Sequence, residues 1–306
     1  MKKRLYFMLD AVLIAFLTVS SAYAFQEPAV ARDVVYYNSG GTPLTMDIYY
    51  PKADGGRVPA VLYIHGGGWY SGDKTSGTGL VDIPELVNRG YLVAAVNYRL
   101  APRYEFPAQI EDLKHAVRFL RANAATYGLD PAHIGVFGDS AGGHLAALLG
   151  VTDDNYGFDG VLSGIEPSTR VQAVVDMFGP ADLTLKFERD RSLLIEHVFG
   201  TSDPEDEIIR RASPVTHVSS DDSPFLIIHG DKDDQVLLSQ SEELYRKLVE
   251  SGVPTELIVV KNSGHDFTPI GGDIDPSRSE ITTAIGNFFD QYLKNNPDVL
   301  RLLGPR

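Results

Sequence analysis

The 306-residue sequence contains no cysteine. That absence excludes disulfides, thiolate zinc sites, iron–sulfur clusters, a cysteine nucleophile and a lipoprotein anchor. Positive charge is scarce: 27 Lys and Arg stand against 41 Asp and Glu, a net charge of −14. A surface this acidic repels nucleic acid and anionic lipid and disfavours anionic polymers as substrates, so a neutral or small substrate fits best. No period of 20–50 residues repeats and no low-complexity tract occurs, which excludes solenoids and propellers. H-E-x-x-H is missing, and the acidic pairs Asp153-Asp154 and Asp221-Asp222 lack the D-x-D-x-D-G register of a calcium loop, so no metal is implied.

Long apolar runs are also rare. Lys2, Lys3 and Arg4 precede an apolar stretch from Ala11 to Val19, and Ala22-Tyr23-Ala24 follows. This is the order of a signal peptide over residues 1–24, and the run is shorter than the ~20 residues needed to cross a bilayer. Removing it takes away three bases and one acid, leaving residues 25–306 more acidic still. A secreted or periplasmic protein, free of the membrane after processing, is expected.

The full sequence is globular in composition, with 43% hydrophobic and 22% charged residues. Residues 31–37 and 44–50 read as a hairpin around Ser39-Gly40-Gly41-Thr42-Pro43, since Leu44, Met46, Ile48 and Tyr50 alternate with less apolar neighbours. Short, continuous apolar strands then appear at 60–64, 91–96, 134–137, 171–178, 225–228 and 256–260, separated by helical stretches. Such a pattern means a mostly parallel sheet covered on both faces, an α/β fold in one domain. Ile110, Leu113, Val117, Leu120 and Ala124 share a helical face between Pro107 and Gly128. Ser239 with Glu242 predicts a capping box, and Asp275-Pro276 a cap for a final helix through Ile281, Ile285, Phe288 and Tyr292. Residues 182–220, charged and interrupted by Pro204 and Pro214, read as a small lid.

The chemistry concentrates at turns. Strand 134–137 runs into Gly138-Asp139-Ser140-Ala141-Gly142 and then an Ala/Leu-rich helix, the context of a G-x-S-x-G nucleophile elbow. Side chains two positions either side of Ser140 would collide with neighbouring strand or helix, hence the glycines. A serine hydroxyl needs a base oriented by an acid. His265 is the only histidine on a loop immediately after a late strand, which makes it the base. Asp231, Asp233 and Asp234 crowd the loop after strand 225–228, and spacing alone does not choose among them. Strand 60–64 ends in His65-Gly66-Gly67-Gly68-Trp69. Consecutive glycines let backbone N–H groups approach a ligand, and with the amide of Ala141 they could hold an oxyanion. A phosphate-binding P-loop or a dinucleotide loop would need Gly-Lys-Ser/Thr or G-x-G-x-x-G, and neither occurs here.

Other histidines read as surface or structural. His144 lies one turn after Ser140 and suits packing or hydrogen bonding better than a second base. His115, His133, His197 and His217 show no partner spacing, and His229 braces the acid loop. Trp69 either lines a substrate pocket or packs in the core.

Taken together, HGGGW (65–69), NYRLAP (97–102), GDSAGGHLAAL (138–148), FGPADL (178–183), ASP (212–214), HGDKDDQV (229–236) and SGH (263–265) resemble the α/β-hydrolase superfamily of esterases and lipases. The resemblance runs from about residue 43 to 268 and is nearest to the secreted feruloyl/acetyl-xylan esterase-like group related to hormone-sensitive lipases. It implies Ser140 as nucleophile, Asp233 as acid through the H-G-x-x-D-x-x-V register, His265 as base, and Gly67, Gly68 and Ala141 as amide donors. It implies no cofactor, and a small-molecule or polysaccharide-linked ester as substrate, with acetyl, other short acyl or feruloyl groups. An arylformamidase or peptidase would share these residues, a lipase would need a larger apolar lid, and an inactive binding protein usually lacks a triad member.

Overall fold

In strand 58–64 every residue from Ala60 onward is buried, because helices cover both faces of the sheet that it joins. The computed structural model describes residues 29–52, 55–153, 157–158, 167–185 and 192–294. The expected leader, residues 1–24, lies outside them, as do residues 186–191 of the expected lid. The strands are Ala29–Ser39 (β1), Thr42–Tyr50 (β2), Val58–Ile64 (β3), Leu92–Val96 (β4), Leu129–Asp139 (β5), Ala173–Met177 (β6), Phe225–Gly230 (β7) and Thr255–Val260 (β8). They pair in the order β1-β2-β4-β3-β5-β6-β7-β8. β1 and β2 form an antiparallel hairpin, β2 meets β4 antiparallel, and every later pairing is parallel.

The helices are Ile83–Asn88 (α1), Ala108–Ala122 (α2), Ala124–Tyr127 (α3), Ala141–Val151 (α4), Ser192–Phe199 (α5), Glu207–Ala212 (α6), Leu238–Glu250 (α7) and Arg278–Leu293 (α8). Successive strand residues point to opposite faces, and the two cores divide accordingly. Leu62, Ile64, Ala94 and Val136 pack with Ile110, Leu145 and Leu244 of α2, α4 and α7. Val61, Tyr63, Val93 and Phe137 pack with Leu86, Ile285 and Phe289 of α1 and α8. The second contact is close: a Cβ on Gly135 of β5 would lie 2.7 Å from the Phe289 ring. Among the described residues no helix is long and apolar enough to cross a membrane.

Two local expectations change. The final helix is capped by Ser277, not Asp275-Pro276: Ser277 and Glu280 form a reciprocal capping box, which satisfies two otherwise orphaned N–H groups. Ser239 does not cap α7, which starts at Leu238 after an extended Leu237, so that Ser239 already lies within the first turn. The segment read as a small lid carries α5 and α6, whose Val198, Phe199, Ile209 and Ala212 are buried in the first core. Its charged stretches hid this, since a few inward-facing residues on short helices suffice, even with Leu193 exposed.

Burial of Phe289 between β5 and α8 makes a stability test. Phe289→Ala is expected to cost about 3–5 kcal/mol, read as a lower urea midpoint with an unchanged slope.

Candidate active site

β5 passes into α4 with a single residue, Ser140, between them. Ser140 sits at φ 55°, ψ −118°, a conformation that costs about 1–3 kcal/mol and persists only where the surroundings dictate it. They do. A Cβ on Gly142 would lie 2.1 Å from the carbonyl oxygen of Ile64, and one on Gly138 would lie 2.3 Å from that of Gly142. The first turn of α4 is therefore pressed against the end of β3, and the amide of Ser140 donates to Met177 O on β6 at 2.9 Å. The hydroxyl is left above the carboxyl edge of the sheet, where open α/β sheets bind ligands.

The loops after β7 and β8 reach the same edge. His265 Nε2 lies 3.0 Å from Ser140 Oγ, and Nδ1 lies 2.6 Å from Asp233 Oδ2. A carboxylate only accepts, so Nδ1 carries the proton and Nε2 presents a lone pair to the serine hydroxyl. Burial of Asp233 opposes ionisation, but hydrogen bonds from His229 and His265 and from the Val236 amide outweigh it and hold the carboxyl well below its ordinary range. Gln235 and Val236 donate their amides to Oδ1 at 2.8 and 3.0 Å. Asp231 instead accepts from the Ser263 amide, and Asp234 is exposed. His229 donates from Nε2 to Val236 O at 2.8 Å and accepts at Nδ1 from Ser241, so it does brace the acid loop. Phe178 stacks edge-on against His265 with centroids 4.8 Å apart.

The glycine loop after β3 is tied to the elbow through Asp139, 2% exposed. Its Oδ2 accepts from the Gly66 amide at 3.2 Å, while Oδ1 accepts from Tyr63 Oη at 2.7 Å and the Gly79 amide at 3.2 Å. Burial raises its pKa against those donors. Among the described residues, no hydrogen bond occupies the amides of Gly67, Gly68 or Ala141. All three line the space around Ser140. That space has two parts. An open cleft of about 950 Å³ is bordered by Gly67, Tyr70, Thr78, Leu194, His265 and Asp266. A cavity of about 20 Å³ beside Ser140 and Ala141 is walled by Trp69, Ile195 and Val236. Trp69 thus lines the site and packs as well. It is 4% exposed, and its indole N–H donates to His144 Nδ1 at 3.0 Å.

A protein-family profile, BD-FAE, matches residues 46–248. The chain belongs to the BD-FAE family. Like the esterase LipQ of Mycobacterium tuberculosis, with which it shares 32% identity over 240 residues, this BD-FAE chain carries its match across most of its own length, 76%, but only 56% of the relative's. The chain spans little more than half the length of the first curated relatives that it matches. Solved structures align more completely. A truncated carbohydrate esterase from gut microbiota superposes with a TM-score of 0.74 at 29% identity, covering 87% of this chain and 99% of the other. Propionate-bound esterase Est2 of Thermogutta terrifontis gives 0.68 at 26% identity, covering 86% and 93%. The fold of this BD-FAE chain is the α/β-hydrolase fold.

Several residues at the site had no signal in the sequence. Thr78 arrives from the loop between β3 and α1 and donates through its hydroxyl to Asp266 at 2.9 Å. Leu194 and His197 of α5 border the cleft, His197 as an exposed residue. Asp266 could have been suspected from its place beside His265; the others come together only through tertiary packing.

Two outcomes follow from this geometry. Gly142→Ala forces the elbow from β3 and is expected to slow labelling of Ser140 by a fluorophosphonate by about 10²-fold, since misplacement near 1 Å costs that much; Gly56→Ala, with open space around its Cβ, labels normally. Burial lowers the His144 pKa from 6.5 to about 4. The unfolded chain therefore takes up a proton there that the folded chain refuses, and this contribution costs nothing above pH 6.5 but grows as pH falls toward 4. Denaturation curves of His144→Gln, compared with wild type, are expected to lose less stability over that interval.

Proposed function

We propose that the protein is a serine carboxylic ester hydrolase in which Ser140 attacks, His265 moves the proton and Asp233 orients and steadies the imidazole. The observation that carries this is the unbroken hydrogen-bonded line Asp233–His265–Ser140 beside three unused backbone amides. As Ser140 Oγ bonds to the ester carbonyl carbon, its proton passes to His265 Nε2. The carbonyl oxygen becomes an oxyanion facing the amides of Gly67, Gly68 and Ala141. Collapse of the tetrahedral species breaks the bond to the alcohol, which leaves with the proton from His265. A water then gives a proton to the same nitrogen and attacks the acyl-serine; the bond from the acyl carbon to Ser140 Oγ breaks, Oγ takes that proton back from His265, and the acid leaves. The ionised Asp233 faces the imidazolium that forms at each stage, in a buried setting where such an interaction is strong.

The substrate reading is a short acyl group, acetyl first, on a small or polysaccharide-linked alcohol. The cavity beside Ser140 is little larger than the ~10–15 Å³ that one water needs, which suits a methyl group, whereas the cleft falls within the range of small-molecule pockets. Esterase names among the relatives, a carbohydrate esterase among the structural neighbours and propionate bound in another support the same class. The basic and apolar leader supports a secreted or periplasmic location, and residues 182–220 supply a lid-like wall through α5.

The test is turnover of p-nitrophenyl esters. Ser140→Ala is expected to lose at least about 10⁴-fold in kcat on the acetate, and Asp233→Asn about 10⁴-fold, while Asp234→Asn stays near wild type. Acetyl and butyryl esters are expected to outpace octanoyl esters in kcat/KM. Undiminished hydrolysis by Ser140→Ala would refute the mechanism; faster turnover of an anilide or formamide than of the matching ester would move the activity to an amidase, and an octanoyl preference would move it to a lipase. A chain that ignores serine-directed phosphonates would be a binding protein on a hydrolase scaffold.

A further inference from the structure

Gly67, Gly68 and Trp69 have φ values of 110°, 61° and 62°, so three successive residues after β3 occupy left-handed backbone. Glycine does this freely, but a residue with a side chain is strained there and needs something to hold it. Two contacts do so. The carbonyl of Trp69 accepts from the Ala101 amide at 3.0 Å, and the indole N–H reaches His144. His144 stands one turn beyond the nucleophile, with its amide bonded to Ser140 O at 2.9 Å. Its other ring nitrogen, Nε2, lies 2.7 Å from Ala212 O at the end of α6. A carbonyl only accepts and an indole N–H only donates, so one tautomer alone satisfies both neighbours: Nε2 protonated, Nδ1 bare. Complete burial keeps the ring in that neutral state.

We propose that the Trp69–His144 hydrogen bond is a strut that fixes the glycine-loop amides relative to the nucleophile, making both side chains positioning residues for the oxyanion. This rests on the ester-hydrolase reading above. The nucleophile opens α4 and the amides belong to a loop after β3, which Asp139 ties to the elbow at the Gly66 amide and whose Gly67 carbonyl accepts from the Tyr70 and Ser71 amides. The strut adds a tie on the other side of Gly67 and Gly68. The strut joins them over a short path, from Gly68 through the adjoining Trp69 side chain to a histidine on the same helical face as Ser140. Removing it leaves the left-handed Trp69 backbone to relax and carries the Gly67 and Gly68 amides away from the developing charge. The ground-state ester has little charge on its carbonyl oxygen, so the loss falls on kcat rather than KM.

Trp69→Phe keeps an aromatic ring near Phe199, whose centroid is 5.6 Å from that of Trp69, and deletes the donor together with part of the indole. His144→Leu deletes the acceptor. His144→Gln restores an acceptor and a donor at nearly the same separation. On p-nitrophenyl acetate, Trp69→Phe and His144→Leu are expected to lower kcat by about 10- to 100-fold with KM within about threefold, and to weaken a trifluoromethyl ketone inhibitor by the same factor. The double variant is expected to be no worse than the poorer single variant, because both remove one interaction. His144→Gln is expected to recover most of the loss. The strut is overturned if folded Trp69→Phe keeps kcat and inhibitor affinity within about twofold of wild type, if the two losses multiply in the double variant, or if His144→Gln is as impaired as His144→Leu. Should His144→Leu fail to fold, Trp69→Phe and His144→Gln decide the matter between them. Ser140→Ala runs beside them as control: its full activity would sink the hydrolase reading itself, whereas its inactivity beside unimpaired strut variants sinks only the strut.

Discussion

The contact between the first turn of α4 and the end of β3 governs everything built at the sheet edge. At Gly142 there is no room for even a methyl group before Ile64 O, so helix and strand meet at backbone distance. This one approach sets the sharp turn that strains Ser140 and places the start of a helix beneath it. It also brings the glycine loop within reach of the serine. Each later element of the site is an addition to that junction. The acid and base loops come from β7 and β8, two strands that join the sheet beyond β6, and they arrive in register because parallel strands end along a common edge.

Buried carboxylates do much of the fastening. Asp139 gathers Tyr63, Gly66 and Gly79. Asp82, fully buried, accepts from Arg278 and Thr282 at 2.6 Å, and so clamps the start of α8 to the turn that carries Thr78. Asp233 collects two amides and an imidazole. In each case burial alone would favour the neutral acid and the donors oppose it; they outweigh it at Asp233, whereas at Asp82 and Asp139 burial still raises the pKa. The same feature that makes these groups costly in isolation makes them specific, since each is satisfied only when its loops are in their native places.

The fold was largely legible from residues 44–260 because parallel strands buried on both faces leave continuous apolar runs, and the helices between them keep a period near 3.6. Helix starts were less so. Ser277 caps α8 where Asp275 seemed the candidate, and Ser239 caps nothing, because a capping pattern states only that a side chain could reach an amide, not where the backbone enters the helix. The burial of α5 and α6 was hidden for a similar reason: short helices carry too few residues for their inward face to stand out among charged neighbours.

Sequence by itself determined that Ser140 lies between glycines after a strand, that a histidine follows a late strand, and that a glycine run ends an early one. These are local facts, set by steric demands that act within a few residues. Tertiary structure brought the rest together. Asp233, left open beside Asp231 and Asp234 by spacing and singled out only by the family register, meets His265, Trp69 both lines the cavity and bonds His144, and Thr78 and His197 stand at the cleft. Loops have no period from which an orientation can be read. Which side chain faces the site depends on contacts between segments up to 188 residues apart, as between Thr78 and Asp266, and such distances are closed only by folding.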